Sequence, residues 1–133
     1  MNSSIYFIVS LIAILIFLGA SIIVHIINKD YSFSKVAISQ FVHAKKGWII
    51  PIGFLGITIS QYALAFGLFI ETSKLLPSIL ITIAATGALI VTVLPTDKGT
   101  AKTTSGQLHA LGAALEFVII PIAILLYCQF LHS

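Results

Sequence analysis

The sequence carries very little charge. Only 8% of its 133 residues are charged, whereas 59% are hydrophobic, and the mean hydropathy is +1.13. A soluble domain has about 25% charged residues, and a chain this short could not enclose so much apolar surface in one core. The composition therefore excludes an ordinary soluble domain and predicts that lipid surrounds most of the chain.

Arginine is absent and cysteine is scarce. The seven basic residues are all lysines, whereas nucleic-acid grooves depend on arginine to bind phosphate and guanine edges. No nucleic-acid partner is therefore expected. The single cysteine, Cys128, excludes an intrachain disulfide framework and a cysteine-based zinc site.

Four apolar runs are long enough to cross a bilayer. They cover residues 5–27, 48–70, 78–95 and 106–131, and a hydrocarbon core about 30 Å thick needs about 20 helical residues. Their continuity excludes the alternating pattern of a barrel strand. The first run is too long for the apolar region of a signal peptide and follows no basic residue. The sequence predicts an all-α, integral membrane four-helix bundle that forms a single transmembrane domain over residues 1–133.

The lysines predict the orientation of the bundle. Six of them lie in the two connections 28–47 and 95–107, only Lys74 lies in the connection between the second and third spans, and the two tails have none. Because basic loops stay on the cytoplasmic side, loops 28–47 and 96–105 should be cytoplasmic and both termini non-cytoplasmic.

Small residues on the second span predict close helix packing. They recur at helical spacing and form one stripe along the helix. Small side chains allow a neighbouring helix to approach closely. The stripe consists of Gly53, Gly56, Ser60, Ala63 and Gly67. Gln61 lies near the middle of the same span. A buried amide needs a hydrogen-bond partner on a neighbouring helix, and Gln61 could alternatively line a polar cavity.

One face of the fourth span is polar at both ends and small in the middle. At 100° per residue this face holds Ser105, His109, Gly112, Ala113, Glu116, Ile120, Ala123 and Tyr127. Glu116 lies about 10 Å along the axis from His109, inside the hydrocarbon. An acid there should face the bundle interior and either pair or protonate. It could simply bond to a neighbouring helix, or it could bind a ligand together with Gln61, Ser105 and Tyr127.

A second set of polar residues should meet at the cytoplasmic face. Ser39 and His43 lie in the first loop, Asp97 follows the third span, and His109 opens the fourth. His43, Asp97 and His109 could bind zinc with an open water position, and Ser39, His109 and Asp97 could form a nucleophilic set. No HExxH, GxSxG or CxxC motif supports either. The third interpretation is ordinary capping and interfacial hydrogen bonding, with a capping box over Thr104–Gln107. No cofactor is expected apart from zinc in the metal alternative.

Three segments resemble a family of bacterial and archaeal multi-spanning proteins, the domain of unknown function 998 family: VAISQF, GALIVTVLPTDKG and SGQLHALGAALEFVIIPIAILL, within residues 36–126. The resemblance implies a prokaryotic cytoplasmic (inner) membrane and singles out Ser39-Gln40, Leu94–Asp97 and Leu108-His109. Family members tend to be longer, with about six spans, and Gln40 stands where they commonly have an acid. The resemblance brings no established activity.

Four functions remain open at this stage. The first is binding of a lipid or other amphiphile in a polar-lined bundle cavity, with Glu116 and Gln61 inside and His109 at the mouth. The second is an intramembrane hydrolase or transferase that uses Asp97, His109 and Ser39. The third is a proton-coupled transporter that works as a homodimer, with Glu116 as the titrating group. The fourth is a structural subunit that binds another membrane helix. Membrane lipids are the partners common to all of them.

Overall fold

The computed structural model describes residues 2–32 and 35–131. Four helices in it are long and apolar enough to cross a membrane: α1 (Ser4–Ile27), α2 (Ile49–Thr72), α3 (Leu75–Val93) and α4 (Thr104–Leu131). A short 3₁₀ helix, Ile38–His43, lies between α1 and α2 and is called the loop helix below. The predicted all-α membrane architecture is confirmed, and each helix begins and ends within three residues of its predicted span.

Proline and backbone conformation explain the helix ends. α3 begins at Leu75, three residues before the predicted start, because Pro77 is tolerated in a first turn whose N–H groups have no partners within the helix. It ends at Val93 because a residue before proline avoids helical geometry, and Leu94 is extended with ψ 118°. Ser73 adopts φ 55° at the end of α2, so two residues suffice to turn the chain into α3.

The small-residue stripe of α2 packs against α1. A Cβ atom on Gly56 would lie 2.6 Å from the carbonyl oxygen of Ala13, and one on Gly53 would lie 2.9 Å from the Cβ of Ala20. The hydroxyl groups of Ser10 and Ser60 hydrogen-bond across the same seam at 2.9 Å. Packing of the stripe inside the bundle, which the sequence predicted, therefore occurs here.

α3 and α4 meet through a second close approach. A Cβ atom on Gly87 would lie 2.5 Å from the carbonyl oxygen of Gly112, and one on Gly112 would lie 2.7 Å from the carbonyl oxygen of Gly87. The helices pack in chain order, α1 along α2, α2 along α3 and α3 along α4. In the described part of the chain, α2 and α4 do not pack along each other as these three pairs of helices do.

The first connection is fixed to the bundle by Phe41 and Asn28. Phe41 is fully buried in a cluster with Val24, Ile50, Phe54 and other apolar residues. The side chain of Asn28 donates to the carbonyl oxygens of Val24 and Lys45 and accepts from the backbone N–H of Lys45. The loop helix is therefore held against α2 as a wall of the bundle.

The outward faces of the helices are apolar and exposed. Phe117 and Leu125 on α4 are 76% and 66% exposed, and Leu15 on α1 is 56% exposed. Exposed apolar bands of this extent are unstable in water but suit the hydrocarbon of a bilayer. The protein is an integral membrane protein.

Candidate functional site

Four successive backbone carbonyls between α3 and α4 each accept a hydrogen bond from a side chain. This segment, Leu94–Asp97, joins the end of α3 to the turn before α4. The bonds are His109 Nδ1 to Leu94 at 2.6 Å, Ser105 Oγ to Pro95 at 3.4 Å, His43 Nε2 to Thr96 at 2.8 Å and Gln40 Nε2 to Asp97 at 3.2 Å. Polar side chains from the loop helix and from α4 therefore hold the end of α3 in place.

These bonds fix the tautomers of two histidines. A carbonyl oxygen only accepts, so His109 Nδ1 and His43 Nε2 must each carry the proton of the bond. In a neutral ring the other nitrogen, Nε2 of His109 and Nδ1 of His43, is then an acceptor. A ring nitrogen oriented in this way can act as a base or accept a hydrogen bond from a ligand.

Asp97 caps the start of α4 through Thr103. The Asp97 carboxylate accepts from the Thr103 hydroxyl at 2.6 Å and from the Thr103 backbone N–H at 3.1 Å. The Thr103 hydroxyl in turn accepts from the backbone N–H of Gly106 at 3.0 Å. The predicted capping box on Thr104 was therefore placed one residue too late. The hydrogen bond from the Thr103 hydroxyl lowers the pKa of Asp97 below its ordinary value, and the hydrogen bond from the Thr103 N–H lowers it further.

The carboxyl group of Asp97 lies directly against Gly106 in the first turn of α4. A Cβ atom on Gly106 would overlap the Asp97 carboxyl group, so the acid sits directly on the first turn of α4. Negative charge is favourable there because the first turn exposes unpaired N–H groups. Asp97 therefore has a capping function in the structure.

The residues predicted as a metal or nucleophilic set are only partly brought together. In the described residues no group of three or more histidine, cysteine or acidic side chains could hold a metal ion, so His43, Asp97 and His109 do not form one. The Asp97 carboxylate bonds to Thr103, and His109 bonds to the Leu94 carbonyl instead of to Asp97. Asp97 is thus separate from the serine and histidine of the predicted nucleophilic set.

Ser39 and His109 both line two adjoining cavities. The larger, of about 210 Å³, also has Glu116 in its wall, and its apolar lining comes from Ala37, Ile38, Phe54, Val91, Ala113 and Phe117. The smaller, of about 100 Å³, shares Ser39, Phe54, Val91 and His109 with it and extends to Thr96. The cavities run between the loop helix, α2, α3 and α4.

Glu116 is hydrogen-bonded to Gln61. The Gln61 Nε2 group on α2 donates to Glu116 Oε1 on α4 at 3.0 Å. Both residues lie near the middle of their helices, twelve positions after the first residue of each, or about 18 Å along the axis. The two intramembrane polar residues singled out by the sequence are therefore partners.

Two other predicted ligand-binding residues lie elsewhere. Ser105 is bonded to the Pro95 carbonyl and is not among the residues that line the larger cavity. Tyr127 lies eleven residues after Glu116 on the same helix, about 16 Å further along its axis, and it is also not in the lining of that cavity. The shared helix face spans the full membrane, whereas the cavity occupies only part of it.

Several residues of the site were missed in the sequence. Thr103 could have been found, because threonine is a strong N-cap residue directly before the first helical position. The family resemblance singled out Gln40, but only the structure shows that its side chain donates to both Thr96 and Asp97, which an ionised acid could not do. Phe54 and Val91 are apolar residues in apolar runs, and no local pattern separates them from lipid-facing neighbours.

One family model matches nearly the whole chain. The family model described as a protein of unknown function, DUF998, matches residues 11–131. No curated protein and no solved structure matches the chain. The chain belongs to the DUF998 family of proteins of unknown function.

Proposed function

We propose that this protein binds an amphiphile with a hydrogen-bonding head group in the larger cavity. The observation that supports this most directly is the composition of the cavity wall, which combines Ser39, His109 and Glu116 with an apolar lining. Small-molecule sites are mostly apolar with a few placed polar groups. The lining also includes Phe117, whose side chain is 76% exposed on the outward face of α4, which supports entry of the ligand sideways from the bilayer.

The polar groups favour an uncharged head that carries a hydroxyl or amide. Ser39 offers a hydroxyl that donates and accepts, and Nε2 of a neutral His109 ring accepts when Nδ1 donates to the Leu94 carbonyl. In the described residues, the cavity lining includes no lysine to pair with an anionic head.

The volume limits how much of the ligand is enclosed. About 210 Å³ is below the 300–1,000 Å³ typical of sites that enclose a drug-sized ligand. The cavity therefore suits the head group and the first part of one chain, while the rest of the chain stays in the bilayer. A single-chain lipid such as a monoacylglycerol has both an uncharged hydroxyl head group and a single acyl chain that can extend into the bilayer.

A pair of matched variants tests the proposal. Ala113 lines the cavity, whereas its neighbour Ala114 is exposed on the same helix. The Ala113→Leu substitution adds three carbon atoms in the cavity. If they displace three methylene groups at about 0.8 kcal/mol each, the Kd of a monoacylglycerol rises about 50-fold. Ala114→Leu should leave the Kd unchanged.

Native mass spectrometry of the detergent-purified protein, titrated with monoolein, would measure both constants. A bound single-chain lipid should also copurify with the wild-type protein and with Ala114→Leu. Equal Kd values for the two variants, or no lipid bound to the wild-type protein, would contradict amphiphile binding in this cavity.

A second candidate is ester hydrolysis or acyl transfer by Ser39. The specific support is that Ser39 and His109 line the same two cavities, while Nδ1 of His109 bonds to the Leu94 carbonyl and leaves Nε2 as the basic nitrogen of a neutral ring. Ser39 Oγ would bond to the acyl carbon while His109 takes its proton and returns it to the leaving alcohol. A fluorophosphonate probe should then label Ser39 and not a Ser39→Ala variant. No labelled Ser39 peptide in the wild-type digest would eliminate this candidate.

A further inference from the structure

The pair formed by Gln61 and Glu116 leaves one buried acceptor without a donor. Gln61 Nε2 donates to Glu116 Oε1 at 3.0 Å, but Gln61 Oε1 is buried and has no hydrogen-bond partner. A buried carbonyl oxygen without a donor is destabilising and rare. A hydrogen-bond donor to Gln61 Oε1 is therefore expected at this position.

The neighbouring hydroxyl groups are already engaged. Thr58 donates to the carbonyl of Phe54 and lies 3.2 Å from the Thr92 hydroxyl, and Tyr62 is bonded to Thr86. Gln61 Oε1 itself is not reached from solvent. The Glu116 carboxyl group is already in contact with the amide, so it is the donor that the geometry offers.

Exchanging the oxygen and nitrogen of the Gln61 amide still leaves the pair in need of a proton. Oxygen and nitrogen of an amide are assigned from the hydrogen bonds they make. If they were exchanged, the amide oxygen would lie 3.0 Å from Glu116 Oε1, and two oxygens at that distance also need a proton between them. In either orientation a protonated Glu116 would supply a donor to the amide oxygen.

The titratable groups nearest to Glu116 do not offer a positive charge that would stabilise an ionised carboxylate. α3 contains no titratable side chain, and on α2 the nearest one in sequence to Gln61 is Tyr62, bonded to Thr86. On α4 His109 lies two turns away with one nitrogen bonded to Leu94, and in the loop helix His43 is bonded to Thr96. In the described residues no lysine pairs with the Glu116 carboxylate, so no cation offsets its charge.

We propose that Glu116 is a carboxylic acid that forms two hydrogen bonds with Gln61, and that the ligand of this site is a proton. Gln61 Nε2 donates to one carboxyl oxygen, and the other carboxyl oxygen donates its proton to Gln61 Oε1. The proton joins α2 to α4, which do not otherwise pack along each other extensively in the described chain. When the proton leaves, one bond is lost and two oxygens with only acceptor capacity face each other.

This acid–amide pair is adjacent to the cavity, because Glu116 lines it. Loss of the proton should therefore change the position of the α4 wall relative to α2. An effect of pH on ligand binding rests on the proposed function, whereas the pair itself does not, and the two are tested separately.

Infrared spectroscopy tests the protonation state directly. The chain has four acidic residues, and the other three, Asp30, Glu71 and Asp97, lie in connections or at a helix end. At about neutral pH, where ordinary carboxyl groups are ionised, wild-type protein in lipid should show one protonated carboxyl C=O band. The band should be lost in Glu116→Gln and kept in Glu71→Gln. No such band in the wild-type protein would overturn the proposal.

Stability against pH tests the pair independently. Glu116→Gln replaces the acid with an amide, and two amides form the same two hydrogen bonds without a titrating proton. As pH rises above about 4.3, the ordinary pKa of glutamate, the unfolded chain loses this proton while the folded pair keeps it. The melting temperature of the wild-type protein should therefore fall relative to that of Glu116→Gln until the folded pair itself ionises. Gln61→Leu should melt below both at about neutral pH. Parallel curves for the wild-type protein and Glu116→Gln would overturn the proposal.

Discussion

The close approach of Gly87 and Gly112 makes a quantitative prediction for Gly87→Ala. The new Cβ atom would lie 2.5 Å from the Gly112 carbonyl oxygen, which is 0.9 Å short of the 3.4 Å at which ordinary contact begins. It would also lie 3.1 Å from the Cβ of Leu115. The nearest atom belongs to the backbone of α4, so a side-chain rotation cannot relieve the overlap and the two helices must move apart.

Such overpacking costs about 1–3 kcal/mol in a well-packed interior, while alanine in place of glycine gains up to about 1 kcal/mol of helix propensity. Gly19→Ala isolates the second effect, because nothing lies within 4 Å of a Cβ atom there. We expect the free energy of unfolding of Gly87→Ala to be about 1–3 kcal/mol below that of Gly19→Ala.

Unfolding by sodium dodecyl sulfate in mixed micelles, followed by far-UV circular dichroism, would measure the difference. Gly56→Ala provides a parallel case on the other seam, since its Cβ atom would lie 2.6 Å from the Ala13 carbonyl oxygen. Equal stabilities for Gly87→Ala and Gly19→Ala would refute the close packing of α3 on α4.

Three further predictions concern the connections. Phe41→Ala should lower the free energy of unfolding by about 3–5 kcal/mol, measured by the same assay, because Phe41 is fully buried. Asn28→Ala should make the loop up to Lys45 more susceptible to limited proteolysis, since three hydrogen bonds are lost; an unchanged cleavage rate would contradict this. The lowered pKa of Asp97 contributes stability that is present above its ordinary pKa and is lost as pH falls through the lower folded value. The acid melting curve of Asp97→Asn should lack this loss, and Thr103→Val should reduce it.

The functional hypotheses differ in how far the structure bears on them. Ser39, His109 and Glu116 share one cavity wall, which supports both the binding proposal and the esterase candidate. Homodimeric proton-coupled transport stays a prediction, as do the inner-membrane location and the cytoplasmic side of the two lysine-bearing loops. The proposed acid–amide pair is relevant to transport because Glu116 would then be the group that exchanges the proton.

The sequence by itself determined the membrane class, the helices and their approximate ends. Long apolar runs can adopt few structures in lipid other than helices, because every backbone N–H and C=O must be paired inside the segment. Proline indicates where helices begin or end, and small residues indicate where helices can approach each other closely. It also predicted that Gln61 and Glu116 need partners, because an unpaired polar group in hydrocarbon is costly.

Only the tertiary structure decided which groups are partners. Gln61 and Glu116 are separated by 55 positions in the chain, and their pairing depends on how α2, α3 and α4 pack. The hydrophobicity of these helices does not determine that packing. The same applies to Asp97, which the sequence grouped with two histidines but which bonds to Thr103 six residues away. Periodicity places a residue on a helix face, whereas the rotation and depth of neighbouring helices, set by contacts such as Gly87 with Gly112, determine which residues face the same cavity.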